Sequence, residues 1–282
     1  VFGASRASGA ALAQTAGQGS LKHPLNGGLG IQLYTLRHLI PKDLGGTLAL
    51  VRKWGFTEVE TGLLNKMSAG DTAAALRQAG LRAASTGASY EQCRDDLQSV
   101  VRNARALGAG FVMVAWIPHK GRFARAEAER AAQDFNGWGR TLRQSDVRFT
   151  YHVHGYEFQE GPDGTLFDLI ARNTDASAVE FEMDVFWVTR GGGDPVELFQ
   201  RYPGRFVLTH LKDIRKGTKL CDPTGQAPDE TSVALGDGMI DWPGVLTAAN
   251  AQRVAYHFIE DEHPQAEKQV PRSLEYLASL KL

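Results

Sequence analysis

Imidazoles and carboxylates recur in the second half of this chain at the ends of strand-favouring runs. Thr150-Tyr151-His152-Val153-His154-Gly155-Tyr156-Glu157 carries two histidines at alternate positions, then a glycine and a carboxylate. Alternate residues share a face of a strand, so His152 and His154 point the same way, and a turn at the glycine lets Glu157 fold back toward them. Farther along come Glu182 and Asp184, then His210 with Lys212 and Asp213, then Glu260 with Asp261 and Glu262. Carboxylates gathered this closely repel unless a proton or a cation intervenes. Two or three of them with one or two imidazoles make a mixed oxygen and nitrogen shell for one divalent ion, of the kind that takes Mn²⁺, Mg²⁺, Zn²⁺ or Co²⁺.

Each group also has a plainer reading. Asp184 would serve as a helix N-cap, but Phe186 and Trp187 continue an apolar run, which favours a ligand. His210 would be an ordinary core histidine, but Lys212 and Asp213 make that strand end unusually polar. Glu260 ends an inward stripe with Tyr256 and Phe258, where an unpaired carboxylate is costly. Glu182 shares the face of Asp184 one layer deeper and reads as a supporting partner or half of a buried ion pair. His257 has the opposite parity and faces the helix layer. Gln32 and Tyr34 share a face of the first strand, and His119 follows Pro118 at the end of the fourth. With Trp187 they are expected to touch substrate, ordinary barrel filling being the alternative for the first two.

The elements that must position these groups follow from periodicity. Strands are expected at 30–36, 55–60, 81–85, 111–117, 147–154, 179–184, 205–210 and 254–260. Helical patterns fall at 45–54, 71–79 (Asp71 as cap, Gly80 as stop), 90–107, 126–144, 166–172, 195–202, 242–251 and 263–280. A long Pro-, Gly- and Asp-containing loop spans 216–239. The unbroken apolar run from Phe111 to Ile117 suits a parallel strand buried on both faces. Strict strand–helix alternation predicts a parallel sheet under helices, and eight units over residues 29–282 predict a single-domain α/β fold, the (β/α)8 TIM barrel. No Gly-x-Gly-x-x-Gly follows the first strand, against a dinucleotide fold. Catalytic groups of such barrels sit at the C-terminal strand ends, so four successive ends bring the ionisable groups to one rim.

Composition narrows the partners. Lys and Arg number 31 against 32 Asp and Glu, so the basic excess of a nucleic-acid binder is missing. No apolar run reaches the roughly eighteen residues of a membrane span. Cys93 and Cys221 lack ligand spacing and read as unrelated thiols. Residues 1–28 form an arm rich in Gly, Ala and Ser, in which Ala11-Leu12-Ala13-Gln14 has the form of a signal-peptidase site. The expectation is the remnant of an export signal and a periplasmic protein; the alternative is a plain arm on a cytoplasmic one.

From residue 29 to the end the sequence resembles the sugar phosphate isomerase/epimerase family, the xylose isomerase-like barrels. The resemblance lies in Ile31-Gln32-Leu33-Tyr34-Thr35-Leu36-Arg37, Tyr151-His152-Val153-His154 with Glu157-Phe158, and Met183-Asp184. It continues through Thr209-His210-Leu211-Lys212-Asp213, Leu235-Gly236-Asp237-Gly238 with Ile240-Asp241-Trp242, and Ile259-Glu260. It implies one divalent ion held by a carboxylate on strand five, then Asp184, His210 and Glu260. Glu157 is nominated for the first place, with His152 or His154 in its stead. The implied chemistry is proton transfer next to the carbonyl of a sugar or keto-sugar through an enediolate, with Glu260, His152, His154 and Lys212 as catalytic groups. Relatives with a Tyr-His-x-His strand act on keto-sugars, inososes or oxidised glycosides, so a metal-dependent lyase, dehydratase or hydrolase is the alternative outcome. A non-catalytic sugar-binding barrel would lack the ion, and the apurinic-site endonucleases that share this barrel need a basic groove. A small-molecule carbohydrate is therefore the expected partner. No glycine-rich phosphate cradle accompanies it.

Overall fold

In the computed structural model, which describes residues 21–161 and 164–282, eight parallel strands close into a barrel. They are β1 (Gly28–Gln32), β2 (Glu58–Thr61), β3 (Arg82–Gly87) and β4 (Phe111–Val114). The circle continues with β5 (Arg148–His152), β6 (Val179–Asp184), β7 (Phe206–Leu211) and β8 (Tyr256–Ile259). β8 pairs with β1 from Gly28 opposite Tyr256 to Ile31 opposite Ile259, which seals the ring. The helices are α1 (Leu44–Lys53), α2 (Ala69–Gln78), α3 (Tyr90–Leu107), α4 (Arg125–Arg143) and α5 (Leu166–Arg172). After them come α6 (Val185–Gly191), α7 (Pro195–Arg201), α8 (Trp242–Asn250) and α9 (Ala266–Ser279). The single TIM barrel read from the alternation is the fold observed.

Local chemistry explains the pieces. All four residues of β4 are buried, as an apolar run between barrel interior and helix layer must be. On α4 the buried Ala128, Ala131, Phe135, Trp138 and Leu142 recur at three- and four-residue steps, a stripe that packs on the strands. Ser89 and Gln92 form a capping box at the start of α3, and Gly108 ends it at φ 72°. Ala84, Phe111, Leu208 and Phe258 plug the lower barrel with Tyr256 against them. A Cβ at Gly30 would sit 2.8 Å from the Phe258 ring and from the Glu58 carbonyl, so β1 has room only for glycine there.

Several boundaries differ from the periodicity. The first strand stops at Gln32, whose side chain accepts from the Tyr34 N–H, and Leu33–Leu36 winds into a 3-10 turn. Gln32 and Tyr34 therefore do not share a strand face. Ser68, not Asp71, caps α2; Asp71 sits one turn in. The fourth strand ends at Val114. Helix α6, unexpected from its apolar sequence, follows β6 directly with Asp184 as its cap. The long loop is partly ordered by Ser232–Val233, which pairs antiparallel with Asp213–Ile214. Residues 1–20, with the Ala11-Leu12-Ala13-Gln14 site, lie outside the described residues. From residue 21 on, the remainder of the arm packs at the N-terminal end of the barrel, where Asn250 bonds Asn26 and Pro24. No helix among the described residues is long and apolar enough to cross a membrane.

Candidate metal centre

Four side chains meet at the C-terminal ends of β5, β6, β7 and the residue after β8. His152 Nε2 lies 3.1 Å from His210 Nδ1 and 3.3 Å from Asp184 Oδ2. His210 Nδ1 lies 2.5 Å from Glu260 Oε2 and 3.6 Å from Asp184 Oδ2. All four residues are buried, and one donor atom from each falls within 4.8 Å of the others. Asp184 has two tasks: Oδ1 accepts from the Trp187 N–H to cap α6, while Oδ2 faces the histidines. The capping and ligand readings of this residue are thus compatible.

The other nitrogen of His210 is fixed from below. Nε2 donates to Glu60 Oε1 at 2.7 Å, and Gln32 Nε2 donates to the same oxygen at 2.7 Å. With Nε2 engaged by Glu60, Nδ1 is the nitrogen that faces the cluster, as in carboxylate–histidine–metal arrangements. Glu182 comes within 3.3 Å of the same nitrogen, but neither of its oxygens makes a hydrogen bond. Glu60 and Glu182 each follow a shift in strand register, at Val59/Glu60 and Phe181/Glu182, and such irregularities re-aim side chains beside sites. Glu60 lies 150 positions from its partner and carries no spacing signal in sequence; only inward parity on the second strand marks it.

Charge is balanced within the cluster. Burial lowers the His210 pKa, but Glu182, Glu260 and Asp184 overcome this and hold it well above the ordinary imidazole value. Burial raises Asp184, yet hydrogen bonds from His152 and His210 hold it below the usual carboxylate range. Glu260, desolvated but facing His210 and Lys212, lies at about 2. Burial and the neighbouring Glu60 push Glu182 up to about 7. Two imidazoles and two carboxylates with converging lone pairs fit a divalent cation: a tetrahedron of ~2.0–2.2 Å metal–ligand bonds has edges of roughly 3.3–3.6 Å. The observed separations of 3.1, 3.3 and 3.6 Å lie near that range, with the 2.5 Å His210–Glu260 contact shorter.

The remaining expected groups fall into three sets. His154 and Trp187 line the cavity above the cluster, their rings stacked at 4.5 Å. Desolvation, then the nearby His152, lowers His154 to about 3, and its Nδ1 has no partner. Gln32 and Tyr34 also line the cavity. Lys212 stands behind the wall, its Nζ 2.5 Å from Glu262 and 4.9 Å from the Trp187 ring centroid; Glu262 is the member of that pair that reaches the cavity. Glu157 and His119 go elsewhere. Gly155, at φ 89° and back to back with Trp187, turns the chain so that Glu157 accepts from the Tyr151 hydroxyl and the His154 N–H. Those bonds hold Glu157, expected as the strand-five ligand, away from the cluster, and the strand-five side chain that lies beside Asp184 and His210 is His152. His119 stacks on Trp116 at 4.8 Å with Nδ1 on the Ile117 carbonyl, off the cavity wall.

Known proteins agree with this architecture. The profile of the xylose isomerase-like TIM barrel family matches residues 48–280. The inosose dehydratase of Geobacillus kaustophilus (strain HTA426) is 28% identical over 127 residues, covering 43% of this chain and 41% of that protein. The chain thus spans about half the length of the curated relatives it matches. A sugar phosphate isomerase/epimerase from Parabacteroides distasonis ATCC 8503 superposes with a TM-score of 0.75 at 23% identity, over 94% of this chain and 96% of that one. The IOLI protein, solved with a bound zinc atom, superposes at 0.66 with 17% identity, over 89% and 95%. Fold, inward strand ends and a match across most of the barrel lead to one conclusion: the chain belongs to the xylose isomerase-like TIM barrel family.

Proposed function

We propose that the protein is a divalent-metal-dependent enzyme that moves a proton at the carbon beside the carbonyl of a sugar or keto-sugar. One observation carries this: donors from four successive strand ends converge within 4.8 Å at the floor of a cavity of about 640 Å³. His152, Asp184, His210 and Glu260 would hold the ion, which when bound supplies Lewis-acid stabilisation of charge on the carbonyl oxygen. Zn²⁺, Mn²⁺, Co²⁺ and Mg²⁺ all suit parts of this donor set, the two imidazoles favouring the first three.

His154 is our choice for the proton acceptor. It lines the cavity, has an unpartnered ring nitrogen and is held flat against Trp187. Glu262 faces the same space; desolvation raises its carboxyl while Lys212 opposes that shift, which suits it to hand a proton back. Lys212 orients Glu262 and does not touch substrate. Proton return to the neighbouring carbon or the opposite face gives isomerisation or epimerisation. Departure of a β-hydroxyl with the electron pair, taking a proton from Glu262, gives dehydration. The inosose dehydratases among the relatives favour that second outcome, and both share the first step. The near balance of charge supports a small carbohydrate over a nucleic acid as partner.

Elemental analysis of the purified protein, followed by NMR of keto-sugars and inososes in heavy water, tests this. About one equivalent of divalent ion and deuterium at the α-carbon are expected. A protein that retains no ion and is not stabilised thermally by adding Zn²⁺, Mn²⁺ or Co²⁺ would defeat it. Export, read from Ala11-Leu12-Ala13-Gln14, joins the proposal, and recovery of the expressed full-length protein only from the cytoplasmic fraction would remove it.

A further inference from the structure

We infer that the cavity holds a second, apolar subsite for a hydrophobic substituent of the sugar, so that the substrate is a glycoside-like molecule and not a bare monosaccharide. This rests on the proposed function only in placing the sugar ring at the metal centre. A monosaccharide of about twelve non-hydrogen atoms fills no more than roughly 360 Å³, even at the ~30 Å³ that each water claims in the liquid. The cavity offers about 640 Å³, so close to half is left over.

The unfilled part has its own chemistry. The loops after β1 and β2 present Leu33, Tyr34, Ile40, Leu63 and Leu64 to the cavity, with polar neighbours such as Arg37 between them. Leucine and isoleucine give sugar hydroxyls no hydrogen bond and would desolvate them at a cost, whereas a flat apolar group gains by burial there. Tyr34 is 54% and Leu63 43% exposed, two of the four large exposed hydrophobics among the described residues, and both sit on this rim.

These side chains are also held. Arg37 stacks over the Tyr34 ring at 4.7 Å and pairs with Asp229 at 2.6 Å, which fixes that ring against the far loop. Asn65 and Lys66 stand in the left-handed region, at φ 46° and 60°, directly after the two leucines. Asn65 Nδ2 donates to the Ile40 carbonyl at 3.1 Å, tying the two loops together. Strained residues persist where surrounding structure over-determines them, and they gather at ligand clamps.

Binding of methyl β-glucoside, phenyl β-glucoside and 4-nitrophenol to the full chain, by ligand-observed NMR and calorimetry, tests the subsite. The wild type is compared with Leu63→Ser combined with Tyr34→Ser; both positions are exposed, so folding is not at stake. The phenyl probe should bind about tenfold or more tightly than the methyl one, and the double variant should bring the ratio below about threefold with metal content unchanged. Should neither glucoside bind, 4-nitrophenol must still bind the wild type and weaken at least about threefold in the variant. Equal affinities for the two glucosides, an advantage that survives the substitutions, or no saturable binding of either aryl probe overturns the subsite. An aryl preference without metal binding would sink the proposed function alone; metal and proton exchange without that preference would sink this inference alone.

Discussion

The two halves of the barrel mouth are built from the same strand–helix unit but end in different chemistry. β5 and β6 finish on His152 and Asp184, β7 carries His210 as its next-to-last residue, and Glu260 follows β8 by one. β1 and β2 lead instead into Leu33, Leu63 and Leu64, and β4 into Ala115. The charged half gathers donor atoms that could hold a cation; the other half sets Leu33, Leu63 and Leu64 beside Gln32, Arg37 and Thr61. Glu60 is the exception that joins them, reaching from β2 under the mouth to fix the ring of His210. On the proposed function, one half would set what is done to a substrate and the other what the substrate carries.

The comparison can be broken first at Asp184. Asp184→Ala should lower metal affinity by more than about a hundredfold, beyond what outer partners of a ligand are worth, and should cost about 1 kcal/mol more through the lost cap of α6. Asp184→Asn should lose the metal but keep the cap, since Asn caps as well as Asp. Metal titration with denaturant melts of both variants checks this; equal destabilisation by Asn and Ala would refute the double role. Next in size is His154→Asn, which should slow α-proton exchange by roughly 10²–10⁴-fold with metal content intact. Metal loss in that variant would move His154 into the ligand set.

Glu60→Gln probes the bridge between the halves. Removing the charge opposite His210 Nε2 should weaken metal binding about 10–100-fold, seen by calorimetry, with the fold kept. An unchanged affinity would leave Glu60 as filler. The smallest effect belongs to the apolar half. Lys66→Gly relieves a left-handed residue on an exposed loop and should stabilise the chain by up to about 1 kcal/mol in chemical denaturation. A loss of stability there would mean the loop is held by the lysine itself.

His210 and His257 are both buried, and parity alone separates them: one points into the barrel, the other toward the helices. The structure gives them opposite electrostatics. Carboxylates hold His210 high despite its burial, whereas His257, with Thr209 at 2.7 Å as its bonded neighbour, is lowered by burial to about 3. Element order, closure into eight strands and the inward set Asp184, His210 and Glu260 were legible because a two-residue period carries facing information locally.

Other features were not legible because they depend on contacts between distant segments. Helix α6 was hidden in an apolar stretch that periodicity cannot tell from a buried strand, and a cap from Asp184 decided it. Glu157 and His152 were interchangeable as letters. The Tyr151 hydroxyl and a glycine turn took one of them out of the site. Which side chains face the axis is thus written in each strand's own order of residues, since alternation is a property of each strand alone. Which donors share a point, and that Glu60 supports them, came from the folded barrel, because strand register and loop closure set distances across it.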